Sequence, residues 1–371
     1  MEERIKEIDG LRAIAILLVI AWHYVGVPSG PGSLLWNVLY LGHFGVDLFF
    51  VLSGFLIGSI LISARSADNY FPSFYGRRAL RIWPLYYLMC AAFFVGLVVR
   101  PHSALFNGPL PAWTYLLSVQ NFAMAHYQNF GSFWLGGTWS LAIEEQFYLI
   151  FPLVVRFVAP RYLPRILIAV IVVCPVARLA DSFTHDEYGY YVLPFFRADV
   201  LSIGALIAWW RIYGRGSAPD RFATVCLVAS TLLLPLVIFT GTETFHAAAW
   251  QHTLAEIFFG SLLFKVLAYG GSARLSWLRG RAAAFFARTS YCAYLTHHWV
   301  AYLVFGALSA VRTIGTLSGC ALTAVSFVAT FALSAASYRW MERHLIRFGH
   351  RRFGYHQRPI EADAAARTLV A

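Results

Sequence analysis

The chain has 371 residues, 59% of them hydrophobic and only 13% charged, with a mean hydropathy of +0.62. This excludes an ordinary soluble domain, in which roughly a quarter of the residues are charged, and leaves lipid as the solvent for most of the polypeptide. The formal net charge of +11 does not point to nucleic acid, because the basic residues fall in short loops between apolar runs rather than on one polar face.

The pattern predicts an all-α fold, a polytopic membrane bundle of about ten transmembrane helices with one re-entrant or interfacial segment. The spans fall near 11–27, 43–63, 83–99, 137–155, 166–180, 192–210, 222–240, 248–270, 289–308 and 315–338. The first begins after Asp9 and Arg12 and ends without a small-residue cleavage pattern, so it reads as a retained helix and not a signal peptide. Between the third and fourth spans, 113–125 is short, follows Pro109 and Pro111, and is polar at Ser118, Gln120 and Asn121. Such a piece suits a re-entrant or interfacial position better than a crossing. Residues 1–346 are thus one transmembrane domain, and 347–371 a basic cytoplasmic tail expected to be disordered. Cys90, Cys174, Cys226, Cys292 and Cys320 lie in apolar runs without CxxC spacing, as expected of reduced, buried thiols.

Charge bias fixes the expected orientation. With the N-terminus inside, 25 of the 29 lysines and arginines fall on cytoplasmic segments. Counting 113–125 as a crossing would invert every later loop and place the arginine-rich ones outside. The expected protein is therefore multi-pass in the cell's inner (plasma) membrane, with both termini cytoplasmic.

Several residues need a reason to be in lipid. Arg12 and His23 are eleven positions apart on the first helix, which puts them on one face and about 16 Å apart along its axis. The second and fourth spans enter from outside and carry Asp47 one turn in and Glu144 and Glu145 about two turns in. His23, Asp47 and Glu144 are thus expected at one depth. A charge at that depth costs at least about 2.5 kcal/mol, so three together imply a polar cavity or a structural hydrogen-bond network. Arg77, Arg78 and Arg81, with Arg12, form a cationic mouth at the inner edge. Arginine forks there serve as topology anchors or as ligands for phosphates such as those of coenzyme A. Further on come Arg197 and Asp199, which being two apart should find different partners, then Glu256, and the adjacent His297 and His298. A metal site from His297, His298 and Glu144 lacks the usual ligand spacing, and no metal is expected.

These blocks together resemble acyltransferase family 3, integral membrane O-acyltransferases that acylate glycans and some antibiotics. The resemblance rests on 8–12 (IDGLR) followed after ten residues by His23, on 45–57 (GVDLFFVLSGFLI), 77–84, 139–148 (WSLAIEEQFY), 196–204 and 290–297. It implies that His23 is the catalytic histidine and that Arg12 and the basic motif ending at Arg81 serve the acyl donor. Two departures stand out: the run 338–344 lacks the proline expected after Glu342, and no esterase-like domain follows the membrane domain. Acyl delivery without such a domain is the expectation.

The implied reaction moves an acyl group, with acetyl favoured, from acyl-CoA (acetyl-CoA) to a hydroxyl of a glycan or small-molecule acceptor, in contact with the lipid bilayer and without nucleic acid. A hydroxyl attacking a thioester must lose its proton, which suits His23 as a general base, oriented by Glu144 or Asp47. A covalent acyl-histidine is the alternative route. Trp139, Tyr148, Arg197 and His297 are the expected acceptor contacts. A proton-coupled transporter or flippase would also use intramembrane His and Glu, but no inverted repeat is visible. If Arg12 and the Arg77–Arg81 cluster face the cytoplasm and His23 the outer half, a continuous polar tunnel should link them.

Overall fold

The computed structural model describes residues 5–101, 106, 108–182, 188–214, 218–241, 245–308 and 312–356. Every regular element among them is helical, and a helix occupies each of the ten predicted spans. In chain order these are α1 (Lys6–Ala21), α2 (Gly45–Ser63), α3 (Tyr70–Val99), α4 (Trp139–Phe157), α5 (Leu163–Asp181), α6 (Ala198–Tyr213), α7 (Ala218–Gly241), α8 (Phe245–Ala268), α9 (Arg281–Ala307) and α10 (Leu317–Ser337). A final helix, α11, covers Arg343–Arg352.

Length and composition make a multi-pass membrane protein, but not with all ten helices. Among the described residues six stretches, on α1, α2, α3, α5, α7 and α10, are long and apolar enough to cross. A bent pair, Trp250–Ala268 with Ala273–Arg279, turns by 111° at its break. Of the helices that fall short, α4 holds Glu144, Glu145 and Arg156, α6 has 16 residues, and α9 bears Thr296, His297 and His298.

Residues 113–125 are not one helix. They form Ala112–Leu116, of five residues, and part of Gln120–Tyr127, of eight. At about 1.5 Å per residue neither can cross a bilayer. The break includes Ser118, at φ 54°. Gln120 and Asn121 are fully buried. The Gln120 amide donates to the Thr138 carbonyl at 2.9 Å, and Asn121 exchanges amide hydrogen bonds with Gln146 on α4 at 3.1 and 2.9 Å. The polarity that argued against a crossing thus packs this piece against α4.

The closest packing joins α2 to α6. A Cβ on Gly204 would stand 2.0 Å from the Val51 carbonyl oxygen, and one on Gly54 1.9 Å from that of Leu201. Glycine lets the two backbones touch, the usual means of helix association where lipid offers no hydrophobic drive. α1 lies between α2 and α9, and widens into a π-helical turn at Trp22–Gly26 that carries His23.

The tail departs from expectation. α11 carries the chain through 347–352, and Phe353–His356 lies back on α3. Asn69 and Ser73 donate to the Gly354 carbonyl at 2.7 and 3.2 Å, and Arg77 donates to that of Phe353 at 2.6 Å. The rest of the expected disordered tail, 357–371, lies outside the described residues.

Candidate functional site

Between α1, α2, α3, α4 and α9 a cavity opens, enclosing with its mouth about 860 Å³. Arg12, Arg78 and Arg81 line it, facing Glu144 and Tyr148 of α4 and Tyr294 of α9. Arg12 donates to the Ser290 hydroxyl at 3.4 Å, and the Arg78 guanidinium stands 5.9 Å from the centre of the Tyr148 ring. Among the described residues none of these three arginines makes an ion pair. The Tyr148 hydroxyl bonds to that of Ser53, and Glu144 sits beside both. Three half-buried guanidinium groups around an open volume, with Glu144 in the lining and Asp9, Glu145 and Glu342 close enough to act on them electrostatically, have spare donors for an anionic guest. Arg77 is not in this lining. It is turned to the tail, donating to Phe353 and standing 4.7 Å from the Tyr355 ring centre.

His23 lies beyond the far end of the cavity and is not part of its lining. Between them stands Tyr294, whose hydroxyl donates to the Gly137 carbonyl at 3.0 Å and meets the Ser140 hydroxyl at 2.5 Å. Tyr294, with Phe49 against it at 6.2 Å between ring centres, is a lining residue of the cavity three positions before His297 in the sequence.

The His23 ring is held by partners the sequence did not assign. Its Nδ1 lies 2.9 Å from the Val19 carbonyl oxygen and 3.3 Å from Nε2 of His297. His297 Nδ1 in turn donates to the Tyr294 carbonyl at 2.7 Å. This network sets the tautomers: His297 carries its proton on Nδ1, so its Nε2 accepts, so His23 carries its proton on Nδ1. His23 Nε2 is then left with a free lone pair, as a base requires. His297, expected as an acceptor contact, is thus a neighbour of His23. Tyr24 bonds to the His297 carbonyl at 2.7 Å and to Thr330 at 2.8 Å, and Arg312 donates to the His23 carbonyl at 2.6 Å. Arg312, one of the four basic residues left off the cytoplasmic segments, gave no sequence signal beyond that exception.

Glu144 and Asp47 do not reach His23. α4 begins inside the bundle, after the buried turn Gly136–Thr138, so counting turns from its end places Glu144 too near the outer surface. It belongs to the arginine cavity instead. Asp47 is bonded to Arg197 and lies 3.6 Å from His252 Nδ1. Arg197 also reaches Glu256 at 3.4 Å, while Arg178 bonds to Asp199 at 2.6 Å and to Glu256 at 3.1 Å. These side chains are 0–2% exposed and tie α2, α5, α6 and α8 together. Arg197, expected to bind acceptor, is therefore enclosed in an ionic network, and Arg197 and Asp199 have different partners as their spacing predicts. Trp139 is buried against Tyr191, 4.5 Å between ring centres, outside the cavity lining.

With this geometry in place, comparison with known proteins decides the family. The acyltransferase domain family, acyltransferase family 3, matches residues 5–339. The chain belongs to that family. It is 26% identical over 397 aligned positions to the O-acetyltransferase OatA of Staphylococcus aureus strain MRSA252, covering 98% of this chain and 60% of the relative. It is 36% identical over 156 positions to the peptidoglycan O-acetyltransferase OatA of Listeria monocytogenes, covering 40% of this chain and 24% of the relative. The chain thus spans about 60% of the length of the Staphylococcus relative. No solved structure matches it.

Proposed function

We propose that this acyltransferase transfers an acetyl group from acetyl-CoA, bound from the cytoplasmic side of the inner membrane, to a hydroxyl of a cell-wall glycan. The names of the relatives support O-acetyl transfer and, in Listeria, peptidoglycan as the acceptor. The observation that carries the reading is that a cavity lined by three arginines with no ion pair among the described residues includes Tyr294, three residues along α9 from the His297 that orients His23.

The arginines Arg12, Arg78 and Arg81 hold the phosphates of the donor by charge-assisted forks. The pantetheine arm extends along the cavity toward Tyr294, whose side chain must swing aside for the thioester to reach His23. The acceptor oxygen attacks the thioester carbonyl carbon while His23 Nε2 takes its proton. The tetrahedral oxyanion collapses with cleavage of the C–S bond, and the departing thiolate takes that proton from the imidazolium. Products are an ester and free CoA thiol, so atoms and charge balance. His297 stabilises the cation formed on His23 by accepting from its Nδ1–H.

The test is incubation of the purified protein with radiolabelled acetyl-CoA and peptidoglycan fragments. Label in base-labile ester on the glycan, lost in His23→Ala, supports the reading; label that stays in acetyl-CoA overturns it.

A further inference from the structure

The outer cluster of imidazoles is larger than general-base chemistry needs. His23 on α1 and His297 and His298 on α9 each bring one ring nitrogen within 4.8 Å of the other two. Ring centres are 5.0 Å apart for His23 and His297, 4.4 Å for His23 and His298, and 4.1 Å for His297 and His298. Neighbouring side chains on a helix diverge by about 100°. Here both turn toward the ring that α1 sets against them. The Nδ1 atom of His298 is buried with no hydrogen-bond partner. A buried nitrogen left so costs about 1–3 kcal/mol, which coordination of a cation would offset.

We propose that His23, His297 and His298 form a three-histidine site for a divalent transition metal of the zinc type, and that filling it stops acyl transfer. Imidazole nitrogen suits zinc, copper and nickel, whereas calcium and magnesium require oxygen ligands. Zinc at about 2.0–2.1 Å from each nitrogen needs a nitrogen–nitrogen spacing of about 3.4 Å. His297 Nε2 and His23 Nδ1 already stand at 3.3 Å. The 4.8 Å limit on the other pairs leaves about 1.5 Å or less to close by side-chain rotation. The Tyr294 carbonyl that accepts from His297 Nδ1 supplies the backbone anchor that metal-bound histidines use to fix ring and tautomer. Three protein ligands leave a fourth position for water. The nearby Arg312 cation opposes a second positive charge, but its guanidinium is held by the His23 carbonyl at 2.6 Å, on the backbone side of that ring.

Inhibition follows from the lone pairs. If the metal takes His23 Nε2, the base nitrogen is occupied. If it takes Nδ1, the ring proton must sit on Nε2. Neither form can accept a proton from the acceptor hydroxyl. The inhibitory half of the proposal rests on His23 being the base, and the binding half does not.

The experiment titrates the metal-stripped, full-length protein in detergent with Co²⁺ and Zn²⁺, reading stoichiometry by calorimetry and coordination by the visible bands of tetrahedral cobalt. One metal per chain is expected, with affinity reduced about tenfold or more in His298→Gln. The metal-free activity of that variant should match wild type, and its sensitivity to zinc should fall in step with affinity. Absence of saturable binding to wild type, or equal affinity in His298→Gln, overturns the site. Activity that is lost on stripping and restored by metal overturns the inhibitory role. Saturable binding in a protein that transfers no acetyl group would sink the proposed function and leave the site standing.

Discussion

Replacing Asp47 separates a structural carboxylate from a catalytic one. Its carboxylate bonds to Arg197, which is 0% exposed and has Glu256 as its other acidic partner at 3.4 Å. Asp47→Ala leaves that guanidinium undercompensated in the interior, where breaking a buried pair costs about 3–5 kcal/mol. At about 2 °C per kcal/mol for a chain of this size, the melting temperature in detergent should fall by roughly 6–10 °C. Arg197→Ala should cost a similar amount, and the double variant less than the sum, because the second removal takes away a charge already stranded. Turnover per folded molecule should remain within about tenfold of wild type, because no step of the transfer uses this side chain. The assays are thermal scans by intrinsic fluorescence and acetyl transfer normalised to folded protein. If Asp47→Asn keeps its melting temperature while turnover collapses, the carboxylate acts in the chemistry and the structural assignment is wrong.

Three further outcomes follow from the same geometry. Arg78→Ala and Arg81→Ala should each raise the KM for acetyl-CoA about tenfold or more while changing kcat little, since a charge-assisted phosphate contact is worth about 1.5–3 kcal/mol in ground and transition states alike; unchanged CoA dependence would return both to membrane anchoring. Tyr294→Phe removes the hydroxyl bonds to Gly137 and Ser140 that hold this side chain in place, so, if Tyr294 gates access to His23, thiol release from acetyl-CoA without acceptor should rise, and a rate equal to wild type would show that Tyr294 is no gate. Gly204→Ala puts a methyl group 2.0 Å from the Val51 carbonyl oxygen, and should lower the melting temperature by several degrees with no specific effect on KM.

The sequence made the helices legible because a bilayer imposes their length and because arginines cluster between the apolar runs. The cluster of Arg12, Arg78 and Arg81 was readable because charge bias puts these arginines at the same ends of their helices, and the bundle brings them into one cavity. Spacing on a single helix says which face a residue takes, but not which neighbour stands opposite. Asp47 therefore read as a companion of His23 when α6 offers it Arg197, and His297 read as an acceptor contact when α1 offers it His23. Depth counted from helix ends failed for Glu144 because α4 starts inside the protein. Arg77 looked equivalent to Arg78 in the motif, yet the returning tail claims it, a contact 276 residues distant that no local pattern encodes.

The central claim is that His23 Nε2 removes the acceptor proton, and the direct measurement is single-turnover acetyl transfer by His23→Ala and His23→Gln against wild type, with protein shown to be folded by its thermal transition and to bind acetyl-CoA with unchanged affinity. Loss of a general base should slow the chemical step by about 10²–10⁴-fold and leave donor binding intact. Transfer within a few-fold of wild type in both variants would contradict the account.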